Sequence, residues 1–414
     1  MTTVRQQRGA ATTGLGLEES HVAAVAGFVL FLATVPANLA PLPSALNQLF
    51  TAAAALMMLF LANRRSIFAD SGAYVGALMV VAGLIVAHLL FTANTVGIET
   101  RQLGDAVRVI LIAAPVVVGG YGVARSGNGY ELLVGILAAA TVSAPFVLLA
   151  PDQIDEHHVA VGQVFMVAAP LSLLAARQSK VLAVSLVSLH LLAAFASGSR
   201  GAVLGAIFGL MFACWASAVG VSRIKRGVLF IASAIFFWQF GERVVGSIFV
   251  DLLGFQDTVA LRRQLRLFDL ESLGADQSAA ARIDIGLLDG WSRFADRPFF
   301  GWGIGASTAP LGEPHFFPHN FFVEAFLSFG IFGGVAALVL IAFVVKWAFK
   351  LARNASTVSL AGAIAASLFS IQISGSFALN RSTYFLVAVG LGVLHGHVAQ
   401  ERRKSSDIRL HTRR

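Results

Sequence analysis

The sequence predicts an all-α polytopic membrane protein with about twelve transmembrane helices and one large helical loop between spans nine and ten. Of the 414 residues, 57% are hydrophobic and 13% are charged, whereas soluble domains contain about 25% charged residues. The mean hydropathy of the chain is +0.77. Because a spanning helix needs roughly 20 apolar residues, these values exclude a soluble enzyme and a nucleic-acid binder.

Apolar runs separated by charged residues, Pro or Gly give the individual spans. The first run is expected to be a retained helix, since no clear small-residue cleavage site follows it. The runs lie near residues 22–36, 45–62, 73–92, 106–123, 131–150, 159–176, 181–197, 202–221, 228–240, 321–345, 357–377 and 383–399. The predicted organisation comprises nine helices in residues 1–240, a loop with the catalytic motif in 241–320, three helices in 321–399 and a basic tail in 400–414.

The distribution of basic residues predicts the orientation of these helices. If the N-terminus is cytoplasmic, the cytoplasmic segments contain 19 of the 30 Lys and Arg residues, including all five Lys. The short outer loops then contain only Arg101, Arg200 and Arg381. By the positive-inside rule, both termini are expected in the cytoplasm and the large loop on the outer face.

The large loop, residues 241–318, contains seven arginines and ten acidic residues but no lysine. A loop of this length without internal structure is unusual, so a small helical lid or site is expected there. In LRRQLRLF, Arg262 and Arg266 are four residues apart and share a helix face, with Arg263 beside them. The stretch ARIDIGLLDGW, which begins at residue 281, resembles a second amphipathic turn.

A His-Asn pair, His319 and Asn320, follows this loop at the predicted outer membrane surface. A neutral imidazole is a credible general base because its ordinary pKa is about 6.5. Asn320 could orient that imidazole or a substrate hydroxyl. The residues alone slightly favour the alternative, in which His319 is an interfacial residue of an aromatic belt.

The motif SGSRG, residues 197–201, places Arg200 in a Gly/Ser turn at the outer end of the seventh and eighth spans. Arginine binds phosphate groups bidentately, and small residues allow a phosphate to approach the backbone closely. An arginine that reaches lipid headgroups is an equally weighted alternative. The motif therefore leaves a phosphate or pyrophosphate site open.

Other polar motifs are expected to be structural. GWGIGA, residues 301–306, lacks the residues of a nucleotide-binding loop and is interpreted as a tight turn. PDQIDEHH, residues 151–158, is interpreted as a solvated loop, with a divalent-cation site as the weaker alternative. The single cysteine excludes an intramolecular disulfide and a cysteine-based metal site. Hydrogen-bonded side chains within the spans are expected for His88, His190, His395 and His397.

Together these motifs resemble the O-antigen ligase and polymerase family of bacterial envelope glycosyltransferases. The resembling features are SGSRG, the loop arginines, RPFFGWGIGA, the His-Asn pair, Glu324 and a Gly-Ile-x-Gly-type turn at residues 330–333. They occur in the family's order and on one predicted side of the membrane. The resemblance covers the second half of the chain, while the first half matches only in its run of spans.

This resemblance implies a metal-independent, inverting glycosyltransferase of the bacterial inner membrane that needs no cofactor. Its donor would be an oligosaccharide on undecaprenyl pyrophosphate, used at the periplasmic face. His319 would deprotonate the acceptor hydroxyl, and Arg200 would bind the donor pyrophosphate. His315 competes for the base role but lacks a following Asn. The possible residues of a second phosphate clamp are Arg266 or its neighbours Arg262 and Arg263, and Arg282.

Two reactions and one transport function compete as interpretations. A ligase passes a finished glycan to lipid A core, whereas a polymerase extends a growing polysaccharide. The single outer loop slightly favours a ligase. A twelve-span secondary transporter is the alternative of another class, but transporters place polar groups near the midplane between two related halves. A structural scaffold would be favoured only if the motif residues proved dispensable.

Overall fold

The computed structural model describes residues 15–32, 44–64, 114–149, 158–247, 259–265, 288–303, 320–372 and 381–411. Every regular element in these ranges is helical. The all-α prediction is therefore confirmed for the described part of the chain. Helices dominate because hydrocarbon offers no hydrogen-bond partner, so each spanning segment must satisfy its own backbone N–H and C=O groups.

The helices follow in chain order as thirteen α elements. They are α1 (Leu15–Leu32), α2 (Ser44–Arg64), α3 (Ala114–Val123), α4 (Gly129–Leu149), α5 (His158–Leu171), α6 (Lys180–Ala196), α7 (Arg200–Ala216), α8 (Val221–Gly246), α9 (Val259–Leu265), α10 (Gly290–Asp296), α11 (Phe321–Ala352), α12 (Val358–Ser370) and α13 (Arg381–His411). A π-helical turn, Ala124–Asn128, joins α3 to α4, and a 3₁₀ helix, Ser172–Arg177, extends α5.

Eleven of the twelve predicted spans overlap these helices, and the remaining one, 73–92, lies outside the described residues. Among the described helices, three stretches are long and apolar enough to cross a membrane, namely Ala114–Leu149, His158–Arg177 and Phe321–Ala352. Shorter apolar helices correspond to most of the other spans. The chain is therefore an integral membrane protein, while the count of twelve spans stays a prediction.

The stretch Ala114–Leu149 is continuously helical by hydrogen bonding, but a kink divides it into two helices. Gly127 has φ 97° and ψ −3°, which breaks the α-helical path within the π-helical turn. A side chain is strained at such a φ, whereas glycine adopts it readily. The predicted spans 106–123 and 131–150 lie on either side of this turn, as α3 and α4 do.

Glycines set how closely the helices approach. An added Cβ on Gly209 of α7 would lie 2.5 Å from the Gly362 backbone oxygen and 2.7 Å from the Ala366 Cβ of α12. Likewise, a Cβ on Gly205 would lie 3.2 Å from the Ala366 oxygen. Residues later in α7 contact residues earlier in α12. The two helices are therefore antiparallel, and their backbones are in contact. Small residues favour such close packing inside a membrane.

The buried His190 is hydrogen-bonded, as expected. Its Nδ1 lies 2.8 Å from Ser172 Oγ and its Nε2 lies 3.2 Å from Thr141 Oγ1. His395 Nδ1 similarly lies 2.9 Å from Tyr121 Oη. The expected buried, hydrogen-bonded histidine is therefore confirmed at His190. His395 is hydrogen-bonded but exposed, His397 is exposed, and His88 lies outside the described residues.

We expect Gly209→Ala to destabilise the protein because its methyl group enters the contact with α12. Overpacking of this kind costs about 1–3 kcal/mol, so the apparent Tm in detergent should fall. Gly227→Ala is the matched control, since its Cβ would meet only Trp215 at 3.4 Å and 3.6 Å, ordinary contact distances. Equal Tm values for the two variants would contradict the close α7–α12 contact.

Candidate functional site

The SGSRG motif forms a rigid turn between α6 and α7. Ser197 Oγ donates to Ala194 O at 2.6 Å and accepts from Ser199 N at 3.3 Å. Gly198 has φ 73°, and the residues 197–199 are buried. Arg200, the first residue of α7, is half-buried. The predicted position of Arg200 in a Gly/Ser turn is therefore confirmed, and the turn fixes the backbone from which its guanidinium extends.

A glycine of α5 accommodates this turn. A Cβ on Gly162 would lie 2.6 Å from Ser199 Cβ and 2.8 Å from Ser197 Oγ. Any larger residue at position 162 would push the turn away from α5. Gly162 was not predicted as a site residue, because one glycine in an apolar span has no distinguishing neighbour in the sequence.

A short helix of the predicted outer loop, α9, packs beside the same turn. Gln264 is fully buried, and its Nε2 donates to Phe195 O in the last turn of α6 at 3.3 Å. Arg262, also on α9, is exposed. The fold thus packs α9, which carries the loop arginines, against α6, the helix that precedes the turn with Arg200. The sequence did not single out Gln264, although a lone amide among three arginines and apolar residues was a usable signal.

The other predicted clamp residues are less fully described. Arg263 is placed only as a residue of α9. Arg266 and Arg282 lie outside the described residues. The helical prediction for LRRQLRLF is correct for Val259–Leu265. In ARIDIGLLDGW the described helix α10 begins only at Gly290, and residues 281–287 lie outside the described part.

Asn320 caps α11 and ties it to the end of α12. Its Oδ1 accepts from Phe322 N at 3.0 Å and from Val323 N at 3.2 Å. Its Nδ2 donates to Gln372 O at 3.1 Å, and Phe321 N donates to Ile371 O at 3.1 Å. The described contacts of this side chain are therefore structural, and its catalytic role stays a prediction. His319 and His315 lie outside the described residues.

The antiparallel packing of α7 on α12 places Arg200 and Asn320 at the same end of α12. Gly205 lies opposite Ala366, so Arg200, five residues earlier, lies near the level of Ile371. Asn320 is hydrogen-bonded to Gln372, the next residue. Residues 120 positions apart in the sequence therefore lie at the same end of α12.

Segment 297–303, which contains the sequence RPFFGWG, docks onto a break in α11. Trp302 N donates to Leu327 O at 2.7 Å and Gly303 N to Ser328 O at 2.9 Å, while Ile331 N donates to Pro298 O at 2.7 Å. Gly330, with φ 67° and ψ −161°, interrupts the helix and leaves these backbone groups available. A Cβ on Gly330 would collide with Phe299 O. The hydrogen bonds described between the loop end and α11 therefore join backbone atoms.

The contact between segment 297–303 and α11 bears on the two glycine motifs for which the sequence predicts turns, residues 330–333 and residues 301–306. The turn expected at residues 330–333 is a kink inside a helix that continues to Ala352. Of GWGIGA, where a tight turn is expected, the structure describes only residues 301–303, in which Gly301 has φ 69° and Gly303 has φ 93°. The carbonyl partners of these residues on α11 were not predicted, because a backbone acceptor can belong to any residue type.

Aromatic side chains pack around the docked segment. Trp291 and Phe294 of α10 lie 5.2 Å and 5.3 Å, centroid to centroid, from Phe326 of α11. Trp302 Nε1 donates to Arg293 O at 3.0 Å, and the Arg297 guanidinium lies 4.4 Å from the Trp302 ring centroid. These contacts hold α10 and segment 297–303 against the first two turns of α11, which follow Asn320.

Glu324, one turn into α11, is buried at 4% exposure. Its backbone N donates to Asn320 O at 3.0 Å. Tyr384 of α13 is near enough to interact electrostatically with its carboxylate. The sequence did not single out Tyr384, which lies 60 residues after Glu324. In the described part of the chain, no group of three or more His, Cys, Asp or Glu residues is placed to hold a metal ion.

Comparison with known proteins identifies one family. Residues 183–338 match the family model of O-antigen ligase. No curated protein and no solved structure matches the chain. The matched stretch contains SGSRG, the α9 arginines, RPFFGWGIGA, the His-Asn pair, Glu324 and the Gly330 kink. The family resemblance inferred from those motifs is therefore confirmed.

We expect Gly330→Ala to detach segment 297–303 from α11. The new methyl group collides with Phe299 O, and a side chain at this backbone conformation costs about 1–3 kcal/mol. Amide hydrogen exchange at Trp302 and Gly303 should become about fivefold faster or more, while α7 and α12 stay protected. Gly227→Ala provides the control. Unchanged exchange at both amides would mean that the docking does not depend on the kink.

Proposed function

We propose, from the match of residues 183–338 to the family model of O-antigen ligase, that the protein transfers a glycan from undecaprenyl pyrophosphate to an acceptor hydroxyl. In this proposal the acceptor is lipid A core, and the reaction takes place at the periplasmic face of the inner membrane. The family match and the apolar helices indicate a glycosyltransferase-like integral membrane enzyme of polysaccharide biosynthesis.

The observation that carries the proposal is the convergence of three elements at one end of α12. The turn with Arg200 lies there through the α7–α12 contact, and Asn320 through its hydrogen bond to Gln372. Helix α9 joins them through the Gln264 hydrogen bond to Phe195 O. A pyrophosphate donor needs cations beside a general base, and this convergence supports such a site.

In the proposed reaction, His319 removes the proton from the acceptor hydroxyl. The resulting nucleophilic oxygen forms a bond to the anomeric carbon of the donor sugar. The bond between that carbon and the pyrophosphate oxygen breaks, and undecaprenyl pyrophosphate leaves with the electron pair. The imidazolium then releases its proton to solvent. Direct attack by the acceptor inverts the configuration at the anomeric carbon.

Arginines would stabilise the leaving group in this reaction. A guanidinium stays protonated and binds phosphate oxygens in a bidentate geometry. Charge that develops on the pyrophosphate in the transition state is therefore neutralised by groups already in place. Arg200 is one such group, and Arg262, Arg263, Arg266 or Arg282 supplies the second. This role for arginine is the basis for proposing a reaction without a metal ion.

Asn320 would act as a positioning residue for His319. Its three hydrogen bonds fix the backbone at the start of α11, from which the preceding residue extends. Because the amide is engaged with α11 and Gln372, we assign Asn320 no contact with substrate. Its proposed effect is to hold the imidazole in reach of the acceptor.

A repeat-unit polymerase is the second candidate, because the same family match supports both reactions. The two reactions use the same donor and differ only in the acceptor. The ligase and the polymerase can be distinguished by the products that accumulate in cells when the protein is absent.

A deletion strain tests the transfer reaction. We expect loss of glycan-bearing lipopolysaccharide with accumulation of lipid-linked polymer, as seen on gels of surface glycans. Accumulation of single repeat units would indicate the polymerase instead. Plasmid-borne wild type and Arg353→Ala, an exposed arginine at the other end of α11, should restore the normal pattern. Arg200→Ala and His319→Ala should not, at equal protein levels in the membrane. Full restoration by both would refute the catalytic assignment.

The pH dependence of transfer separates the base from its positioning residue. With purified enzyme, removal of a general base should lower the rate about 10²- to 10⁴-fold. The wild-type rate should fall in acid as the imidazole protonates, and His319→Ala should lose this dependence. Asn320→Ala should lower the rate yet keep the acid limb. A retained limb in His319→Ala would assign the base elsewhere, with His315 tested next.

A further inference from the structure

We propose that the face opposite the transfer site carries a second, independent site that binds the phosphate group of a small anion or a lipid headgroup. The site is a cavity of about 210 Å³ between the Ala124–Asn128 turn, the end of the 3₁₀ helix after α5, the start of α12 and the C-terminal part of α13. This inference goes beyond the proposed function and does not depend on it.

The cavity and the transfer site lie at opposite ends of α12. Ser356, Thr357 and Leu360, around the start of α12, line the cavity, whereas Asn320 is bonded to Gln372 just after its end. Thirteen residues of helix at 1.5 Å each separate the two ends by about 20 Å. The arginines of the cavity belong to segments that the charge distribution predicts to be cytoplasmic. The cavity is therefore not a part of the proposed transfer site.

The lining of the cavity is cationic. Arg125, Arg177 and His397 all line it, and none of the described residues that line it is Asp or Glu. Two guanidiniums that face one small cavity repel each other unless an anion lies between them. Basic pockets between transmembrane helices on the cytoplasmic side are suited to anionic lipid headgroups.

Aromatic neighbours hold both arginines in place. The Arg177 guanidinium lies 5.1 Å from the centroid of the Tyr130 ring, a cation–π distance. Arg125 Nη1 donates to Tyr121 Oη at 3.5 Å, and that hydroxyl lies 2.9 Å from His395 Nδ1. A guanidinium has five N–H donors, so the hydrogen bond to Tyr121 leaves Arg125 able to bind a phosphate bidentately.

Glycines build the walls of the cavity. A Cβ on Gly392 of α13 would collide with Tyr121 O, and one on Gly396 would lie 3.0 Å from Arg125 O. These glycines let α13 pack directly on the backbone of the turn that carries Arg125. At Gly127 a Cβ would meet nothing within 4 Å, so the cavity is bordered there by bare backbone.

The volume of the cavity limits the ligand to a small group. A water molecule occupies about 30 Å³ in the liquid, and pockets for drug-sized ligands measure about 300–1,000 Å³. A cavity of about 210 Å³ holds one phosphate group with a few waters. A free phosphate and the phosphodiester of an anionic lipid share this chemistry, so the experiment must separate the two.

The test uses the full-length protein in nanodiscs and two probes. Inorganic phosphate is titrated against protein in phosphatidylcholine nanodiscs, with the apparent Tm as readout. Retention of phosphatidylglycerol over phosphatidylcholine is measured separately by native mass spectrometry of protein taken from mixed nanodiscs. We expect the wild type to respond to at least one probe. A response to phosphate identifies a soluble ligand as sufficient, whereas retention of phosphatidylglycerol alone identifies the headgroup.

Three variants make the result decisive. Arg125→Gln with Arg177→Gln should weaken the wild-type response about tenfold or more. Arg177→Gln alone should weaken it at least threefold, and because Arg177 is exposed this variant tests the site without disturbing the fold. Arg353→Gln, an exposed arginine near the cavity but not in its lining, should bind as the wild type. Absence of both responses in the wild type, equal binding by the double variant, or equal loss in Arg353→Gln would each overturn the proposal.

Discussion

The antiparallel contact between α7 and α12 is the interaction on which the arrangement of the described helices depends. Gly209 and Gly362 allow the two backbones to come into contact. This contact fixes which residues of α7 and α12 lie side by side along the helix axes. Arg200 comes to the end of α12 where Asn320 is bonded, and the cationic cavity lies at the other end. A bulkier residue at position 209 would change the distance between α7 and α12 and so disturb both ends.

Two polar features of the described part of the chain lie where helices break. In hydrocarbon an unbonded backbone group costs several kcal/mol, so each break must be satisfied by another part of the protein. At Gly330 the released carbonyls of Leu327 and Ser328 accept from segment 297–303. At Gly127 the break borders the cationic cavity. A helix break in this protein is therefore also an attachment point or the edge of a site.

Charge is used differently at the two ends of the bundle. At the proposed transfer site, one buried amide, Gln264, joins α9 with its arginines to α6, the helix that precedes the turn with Arg200, so the loop helix that supplies charge is anchored to the membrane helices. In the opposite cavity, both arginines lie on membrane-helix termini and are held by tyrosines. The first arrangement suits a substrate that binds and leaves. The second suits a ligand that stays bound.

The sequence by itself determined where the described helices lie and which family the motifs resemble. An apolar run of about 20 residues in a bilayer can only be helical, and the order of SGSRG, RPFFGWG and His319-Asn320 was enough for the family. Only the tertiary structure decided that Arg200 and Asn320 lie at the same end of α12, that segment 297–303 docks on the Gly330 kink, and that Arg125 faces a cavity with Arg177. These contacts join residues far apart in the chain. Many use backbone atoms or glycines, whose partners leave no mark in the sequence because every residue type has the same backbone groups.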